Sequence, residues 1–132
     1  MDLFKKQEVL QKEARQVLID TGIEKLLSTH GNTHITGSLK TGLMVRRDID
    51  VMVTPLPQDN NFWGMAKEFF SIEHVNQLSL VNNITLENKR LPKGLYFGIK
   101  YGSEGIVWKI DVWFVDKFTE DYDRWLMENL TD

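Results

Sequence analysis

Three aspartates carry the chemistry open to this sequence. In "RRDIDVMV" Asp48 and Asp50 stand one residue apart inside a hydrophobic run, and in "WKIDVWFV" Asp111 sits among Ile110, Val112 and Phe114. Both stretches read as strands, whose side chains alternate between faces, so Asp48 and Asp50 point one way and Ile49 and Val51 the other. By the same alternation Lys109, Asp111 and Trp113 share a face. Two carboxylates roughly 4–6 Å apart repel by about 3–4 kcal/mol at an effective dielectric near 20, so a compensating charge is expected. Magnesium, which prefers hard oxygen ligands, would supply it. If the strand of Asp111 lies beside that of Asp48 and Asp50, three carboxylates meet, enough for two metal ions with positions open to substrate phosphates. One ion would activate an attacking hydroxyl and the other would neutralise a triphosphate and its leaving group. Such a site performs phosphoryl or nucleotidyl transfer.

Phosphates also need donors, and Gly37-Ser38, ten residues before Asp48, can provide them. Glycine lets the backbone approach closely. A helix starting near Leu39 would point its free N–H groups and the Ser38 hydroxyl at a phosphate oxygen. Lys40, Arg46 and Arg47 add positive charge nearby.

Gly37-Ser38, the spacing to Asp48-Ile49-Asp50, and the later Asp111 in an apolar strand together resemble the signature of the DNA polymerase β-like nucleotidyltransferase superfamily. The pattern runs from Thr33 to Val115. The resemblance implies that Gly37 and Ser38 bind the triphosphate and that Asp48 and Asp50 each ligate magnesium. It implies that Asp111 both ligates metal and acts as base for an acceptor hydroxyl, and that the fold is a mixed sheet flanked by helices. Two features depart from the family. Lys40 fills a slot where many members carry arginine, with Gly42 one position later than their glycine, and Lys40 is then a candidate phosphate contact. The chain also lacks room for the second helical region that forms much of the base or acceptor pocket in polymerases and antibiotic-modifying members. It would be a minimal member, a protomer completed by a partner, or a fragment.

The elements that must position these residues are legible as periodicities. From Leu3, the residues Phe4, Val9, Leu10, Ala14, Val17 and Leu18 recur at helical spacing. Asp20, or a Thr21–Glu24 capping box, begins a second piece carrying Ile23, Leu26 and Leu27, ended by Gly31-Asn32. One broken helix and two short ones are both compatible with this pattern. Thr33 to Thr36 is a short strand, Arg47 to Thr54 the next, and Pro55 and Pro57 end it. Asp59-Asn60 would cap a helix so apolar around its circumference (Phe62, Trp63, Met65, Ala66, Phe69, Phe70, Ile72) that it should be largely buried. Leu78, Leu80, Ile84 and Leu86 suggest extended chain, with Asn82-Asn83 a hairpin turn or bulge. "GLYFGIKY" and "GIVWKIDVWFVD" are strands joined through Gly102-Ser103-Glu104-Gly105, and a helix from about Thr119 carries Tyr122, Trp125, Leu126 and Leu130. The expectation is an α+β (α/β) fold, a mixed sheet of about four to five strands flanked by helices, with residues 1–132 as one domain.

Composition narrows the function classes. The chain has 132 residues, 42% of them hydrophobic, and a net charge of -3, which gives no overall basic field for long nucleic acid. With no cysteine there is no disulfide framework, zinc ribbon or thiol nucleophile. No leader or membrane-spanning stretch is evident, so a cytoplasmic protein is expected. His30 and His34 read as turn or strand residues, His74 as a helix-end residue, and Asp116 as a strand-end or cap residue. Lys100 and Lys109 could reach phosphate. Trp113 or Tyr101 could stack a base or acceptor ring, whereas Trp63, Trp108 and Trp125 read as packing. The expected activity is transfer of a nucleoside monophosphate from an NTP, with Mg²⁺ or Mn²⁺, to a hydroxyl of a small molecule such as an antibiotic or of a protein, releasing pyrophosphate. The alternatives are a minimal antitoxin-like module that binds a helical protein partner and a stand-alone nucleotide sensor. A homodimer is compatible with either.

Overall fold

The computed structural model describes residues 2–42, 44 and 46–116. Its centre is a five-stranded mixed sheet in the order β1-β2-β5-β4-β3, with β1 (Asn32–Thr36), β2 (Asp48–Thr54), β3 (Val75–Asn82), β4 (Leu95–Ser103) and β5 (Ile106–Phe114). Only β2 and β5 run parallel; the other neighbours are antiparallel. The expected mixed sheet with flanking helices is therefore what forms.

Period-two patterning divides this sheet into two unlike faces. Ile49, Val51 and Val53 of β2 and Ile110, Val112 and Phe114 of β5 point to one side, joined by Phe97 and Ile99 of β4. Onto that face pack α1 (Leu3–Thr21), α2 (Ile23–Ser28) and α4 (Asp59–Phe70), through Leu10, Ala14, Val17, Ile23, Leu27, Phe62, Met65 and Phe69. Phe62 stacks on Phe97 with ring centroids 4.3 Å apart, and burial of apolar area of this kind is the main favourable contribution to folding.

The N-terminal helical segment is two helices broken at Gly22, whose φ of 67° ends α1 in the left-handed region that glycine tolerates. The expected Asp20 or Thr21 cap does not form. Instead the Thr21 hydroxyl donates to the Val17 carbonyl and accepts from the Ile23 N–H, and Gly22 precedes α2 without a side-chain cap.

Helix α4 corrects a second expectation. It buries Phe62, Met65, Ala66 and Phe69, while Trp63 and Phe70 remain 59% and 58% exposed. The helix has one layer of sheet to pack on and nothing described on its outer side, so its apolar circumference exceeds its buried stripe. Its N-cap is Gln58, with Asp59 already in the first turn.

Asn82-Asn83 is neither a hairpin turn nor a bulge. Asn82 caps a four-residue helix, α5 (Asn83–Leu86), accepting from the N–H groups of Ile84 and Thr85. Ile84 and Leu86 are therefore helical, not extended. The β4–β5 turn is tighter than the four-residue signal suggested: Ser103 pairs with Ile106, and Glu104 and Gly105 take φ of 56° and 83°, the two positive values that a type I′ hairpin needs. The helix expected from about Thr119 lies outside the described residues.

Candidate functional site

The second face of the sheet carries the chemistry, and strand register fixes what meets there. Asp50 is the direct neighbour of Asp111 across the parallel β2–β5 pair. Residues opposite each other share a face, so one row crosses the whole sheet as Thr36, Asp50, Asp111, Gly98 and Ser79. Below it Asp48 lies beside Lys109, and Lys109 beside Lys100. Above it run His34, Met52, Trp113, Tyr96 and Val81. Asp48, Asp50 and Asp111 thus do occupy one face, with Lys109 and Trp113 beside them.

The three carboxylates are not equivalent. Asp50 is 3% and Asp111 6% exposed, whereas Asp48 is half-buried at the start of β2. The Tyr96 hydroxyl donates to Oδ1 of Asp111, and the Lys109 ammonium lies 3.8 Å from Oδ2. Burial pushes the Asp111 carboxyl above the ordinary carboxylate range; the Tyr96 hydrogen bond and Lys109 oppose this, and the Asp48 charge adds to it. The Tyr96 phenol is itself held well above its usual range, first by burial and then by the Asp111 charge, with Asp50 and Asp48 contributing.

Tyr96 can reach Asp111 because of the glycine two residues on. Gly98 pairs with Asp111 in register, and a Cβ there would run into the Tyr96 ring and hydroxyl. The tyrosine lies along its own strand across the space that Gly98 leaves, with its ring tilted against Trp113 at a centroid distance of 4.9 Å. Sequence reasoning missed Tyr96. The signal was a Tyr-x-Gly triplet on a strand able to pair with that of Asp111.

Gly37 is pressed against the acidic row. It begins α3 (Gly37–Thr41) with a φ of 66°, and its backbone is so close to Asp50 that an added Cβ would overlap the carboxylate oxygen Oδ2. Leu39, 3% exposed, anchors α3 in the core on the other side. The helix starts at Gly37, two residues earlier than the spacing implied. Ser38 is its second residue, and its hydroxyl lies outside the described part of the structure. Lys40 is exposed in the same short helix, and Gln11 of α1 donates to the Gly42 carbonyl at 2.7 Å.

The basic residues ahead of β2 divide. Arg46 is exposed, and Arg47 pairs with Glu13 of α1 at 3.4 Å, an interaction that draws its guanidinium toward the helix. Tyr101 shares its face with Trp108 in the apolar core cluster, opposite the aspartates.

Two buried polar atoms on the site face have no hydrogen-bond partner among the described residues: the Thr36 hydroxyl, next to Asp50 in register, and the Trp113 indole N–H. Leaving such groups unpaired costs about 1–3 kcal/mol each. Among the described residues no three acidic or imidazole side chains close around a point that could hold a metal ion. The carboxylates on this face offer only oxygen donors, the type that suits a hard divalent cation.

Above this row the chain from Asn83 to Gly94 folds over the face. The Asn83 amide, 2% exposed, donates to the carbonyls of Asn88, Leu91 and Pro92 at 3.0, 3.3 and 2.7 Å, and its oxygen accepts from the Asn88 N–H at 2.8 Å. This sets Leu91 against Tyr96 and Trp113.

No helix among the described residues is long and apolar enough to cross a membrane. No family model matches the sequence, and no curated protein matches it. Among solved structures a chain of the GLD-2–GLD-3 poly(A) polymerase complex is similar with a TM-score of 0.40 and 15% identity, covering 85% of this chain but 40% of that one, so this chain spans less than half the length of the protein it is compared with.

Proposed function

We propose that this chain is a nucleotidyltransferase that moves a nucleoside monophosphate from an NTP to a hydroxyl acceptor. The observation that carries the reading is the register of Asp50 against Asp111, with Asp48 on the same face and the Gly37 backbone pressed on the Asp50 carboxylate. Asp48 and Asp50 would hold Mg²⁺, with Mn²⁺ able to substitute, and Asp111 would complete the set. When bound, such ions neutralise triphosphate charge and lower the cost of ionising the acceptor.

The chain's own residues then have defined tasks. The N–H groups at Gly37 and Ser38 receive phosphate oxygens, and Lys40 and Arg46 supply charge from the exposed rim. Asp111 takes the acceptor proton as the acceptor oxygen bonds to the α-phosphorus. The bond from that phosphorus to the departing pyrophosphate breaks, so no covalent enzyme intermediate is needed. Positioning and charge neutralisation supply the rate enhancement.

A second reading has its own support. Both oxygens of Asp111 already have a hydrogen-bonding or ionic neighbour in Tyr96 and Lys109, as a structural carboxylate would. A partner-binding module with little catalysis, similar to minimal antitoxins, would tolerate this arrangement. The deciding experiment is thermal unfolding with Mg²⁺ or Mn²⁺ and each of the four NTPs, on wild type and Asp50→Asn. Metal-dependent stabilisation by an NTP that disappears in the variant supports nucleotidyl transfer. Absence of any shift, together with a biological effect that survives Asp48→Asn/Asp50→Asn, supports the module.

A further inference from the structure

A cavity of about 220 Å³ opens on the site face, lined by Val81, Leu91, Tyr96, Lys109, Asp111 and Trp113. It lies against Asp111, the strand neighbour of Asp50. The walls are aliphatic and aromatic, and the two charged side chains stand together at one place, with Lys109 3.8 Å from Asp111. A ligand there would be gripped by apolar contact and oriented by one polar point, as small-molecule sites usually are.

The cavity opens to solvent and holds one six-membered ring with a short arm, at the small end beside the roughly 300–1,000 Å³ of sites for drug-sized ligands. The polar point decides the functional group. The Asp111 carboxylate already accepts from a hydroxyl attached to a ring, that of Tyr96, so the local geometry is competent for an O–H donor arriving along this wall. The Leu91 wall is fixed in advance by the Asn83 hydrogen bonds to the Asn88–Pro92 loop, which reduces the ordering cost of binding.

We propose that this cavity is the acceptor pocket and that it takes a small one-ring alcohol, whose hydroxyl replaces the Tyr96 hydroxyl on Asp111. The assignment rests on the nucleotidyl-transfer reading for its catalytic meaning but not for its binding. On transfer the alcohol oxygen bonds to the α-phosphorus of the NTP, the bond to pyrophosphate breaks, and the proton passes to Asp111.

Benzyl alcohol is the probe. Saturation-transfer NMR on the wild-type chain should show binding at millimolar concentration. Benzyl methyl ether, which has no donor, should give a signal at least threefold weaker. Val81→Trp fills the cavity from an exposed edge strand and should abolish the signal. Leu91→Glu, on the loop, is the second variant and should weaken it as well. No wild-type signal, a signal that both variants leave intact, or equal binding of the ether overturns the pocket. Thermal shift with Mg²⁺ and NTP on the same samples separates the two readings. A nucleotide shift without an alcohol signal overturns the pocket alone. An alcohol signal without a nucleotide shift supports the pocket as a binding site and overturns its role in transfer.

Discussion

The Tyr96 hydroxyl donates to Oδ1 of Asp111 across the antiparallel β4–β5 pair, over a residue, Gly98, that has no side chain to stand in the way. A phenol thereby takes one face of the carboxylate that the proposed chemistry needs as a base.

Replacing Tyr96 by Phe keeps the ring against Trp113 and removes only this hydrogen bond. Hydrogen bonds to charged groups contribute about 1.5–3 kcal/mol, so a loss of about 1–2 kcal/mol in urea unfolding is expected. Since the bond lowers the Asp111 pKa against the effect of burial, carboxyl NMR of the variant should show Asp111 titrating at higher pH than in wild type. An unchanged titration would mean that the bond is not formed in solution.

Asp111→Asn tests burial of the charge itself. The folded-state pKa of Asp111 lies above its ordinary value, so the ionised form is disfavoured by folding. Wild type is therefore at its best, relative to the variant, below the unfolded carboxylate range, and loses ground as pH rises through the elevated folded value. In metal-free buffer the Asn variant should melt higher than wild type at pH 7, with the gap closing toward pH 3. A gap that widens on acidification would contradict this.

Gly37→Ala combines two effects. The left-handed backbone costs a non-glycine residue about 1–2 kcal/mol, and the new Cβ would have to displace the Asp50 carboxylate. A destabilisation of about 2–3 kcal/mol is expected, with loss of the metal-dependent nucleotide shift. Retention of that shift at full size would remove Gly37 from the site.

Asn83→Ala leaves the buried Pro92 carbonyl, the less buried Asn88 and Leu91 carbonyls and the Asn88 N–H short of a partner. A cost of about 2–4 kcal/mol follows from the unsatisfied groups. Hydrogen exchange should show the Asn88 amide losing protection first, and benzyl alcohol should bind more weakly because Leu91 is no longer held.

Arg47→Ala should barely matter for stability, because exposed ion pairs such as Arg47 with Glu13 contribute less than about 1 kcal/mol. Should the NTP dissociation constant nonetheless rise several-fold in the variant, Arg47 leaves Glu13 for the phosphates when nucleotide binds.

The sequence made the faces of individual strands legible and left their neighbours open. Alternation alone put Asp48 with Asp50 and Asp111 with Trp113. Only the register of two parallel strands far apart in sequence brings Asp50 beside Asp111, and register is a tertiary outcome of packing against α1, α2 and α4. The Asn82-Asn83 pair shows the opposite failure. Its local turn propensity was real, but Asn83 satisfies carbonyls in a loop five to nine residues later, and a capped helix stands where a hairpin turn or a bulge was expected. Burial of α4 was overestimated because counting apolar residues does not reveal how many layers are available to cover them.

The two unlike faces of the sheet also bear on how such a protein can change over generations. Along β5, Ile110, Val112 and Phe114 belong to the core, while Lys109, Asp111 and Trp113 belong to the site. A substitution at an even position acts on the main core, and one at an odd position acts on the acidic row and the smaller cluster of Met52, Trp113 and Val115. The alternation of a single strand sets core positions and positions of the polar face side by side, residue by residue.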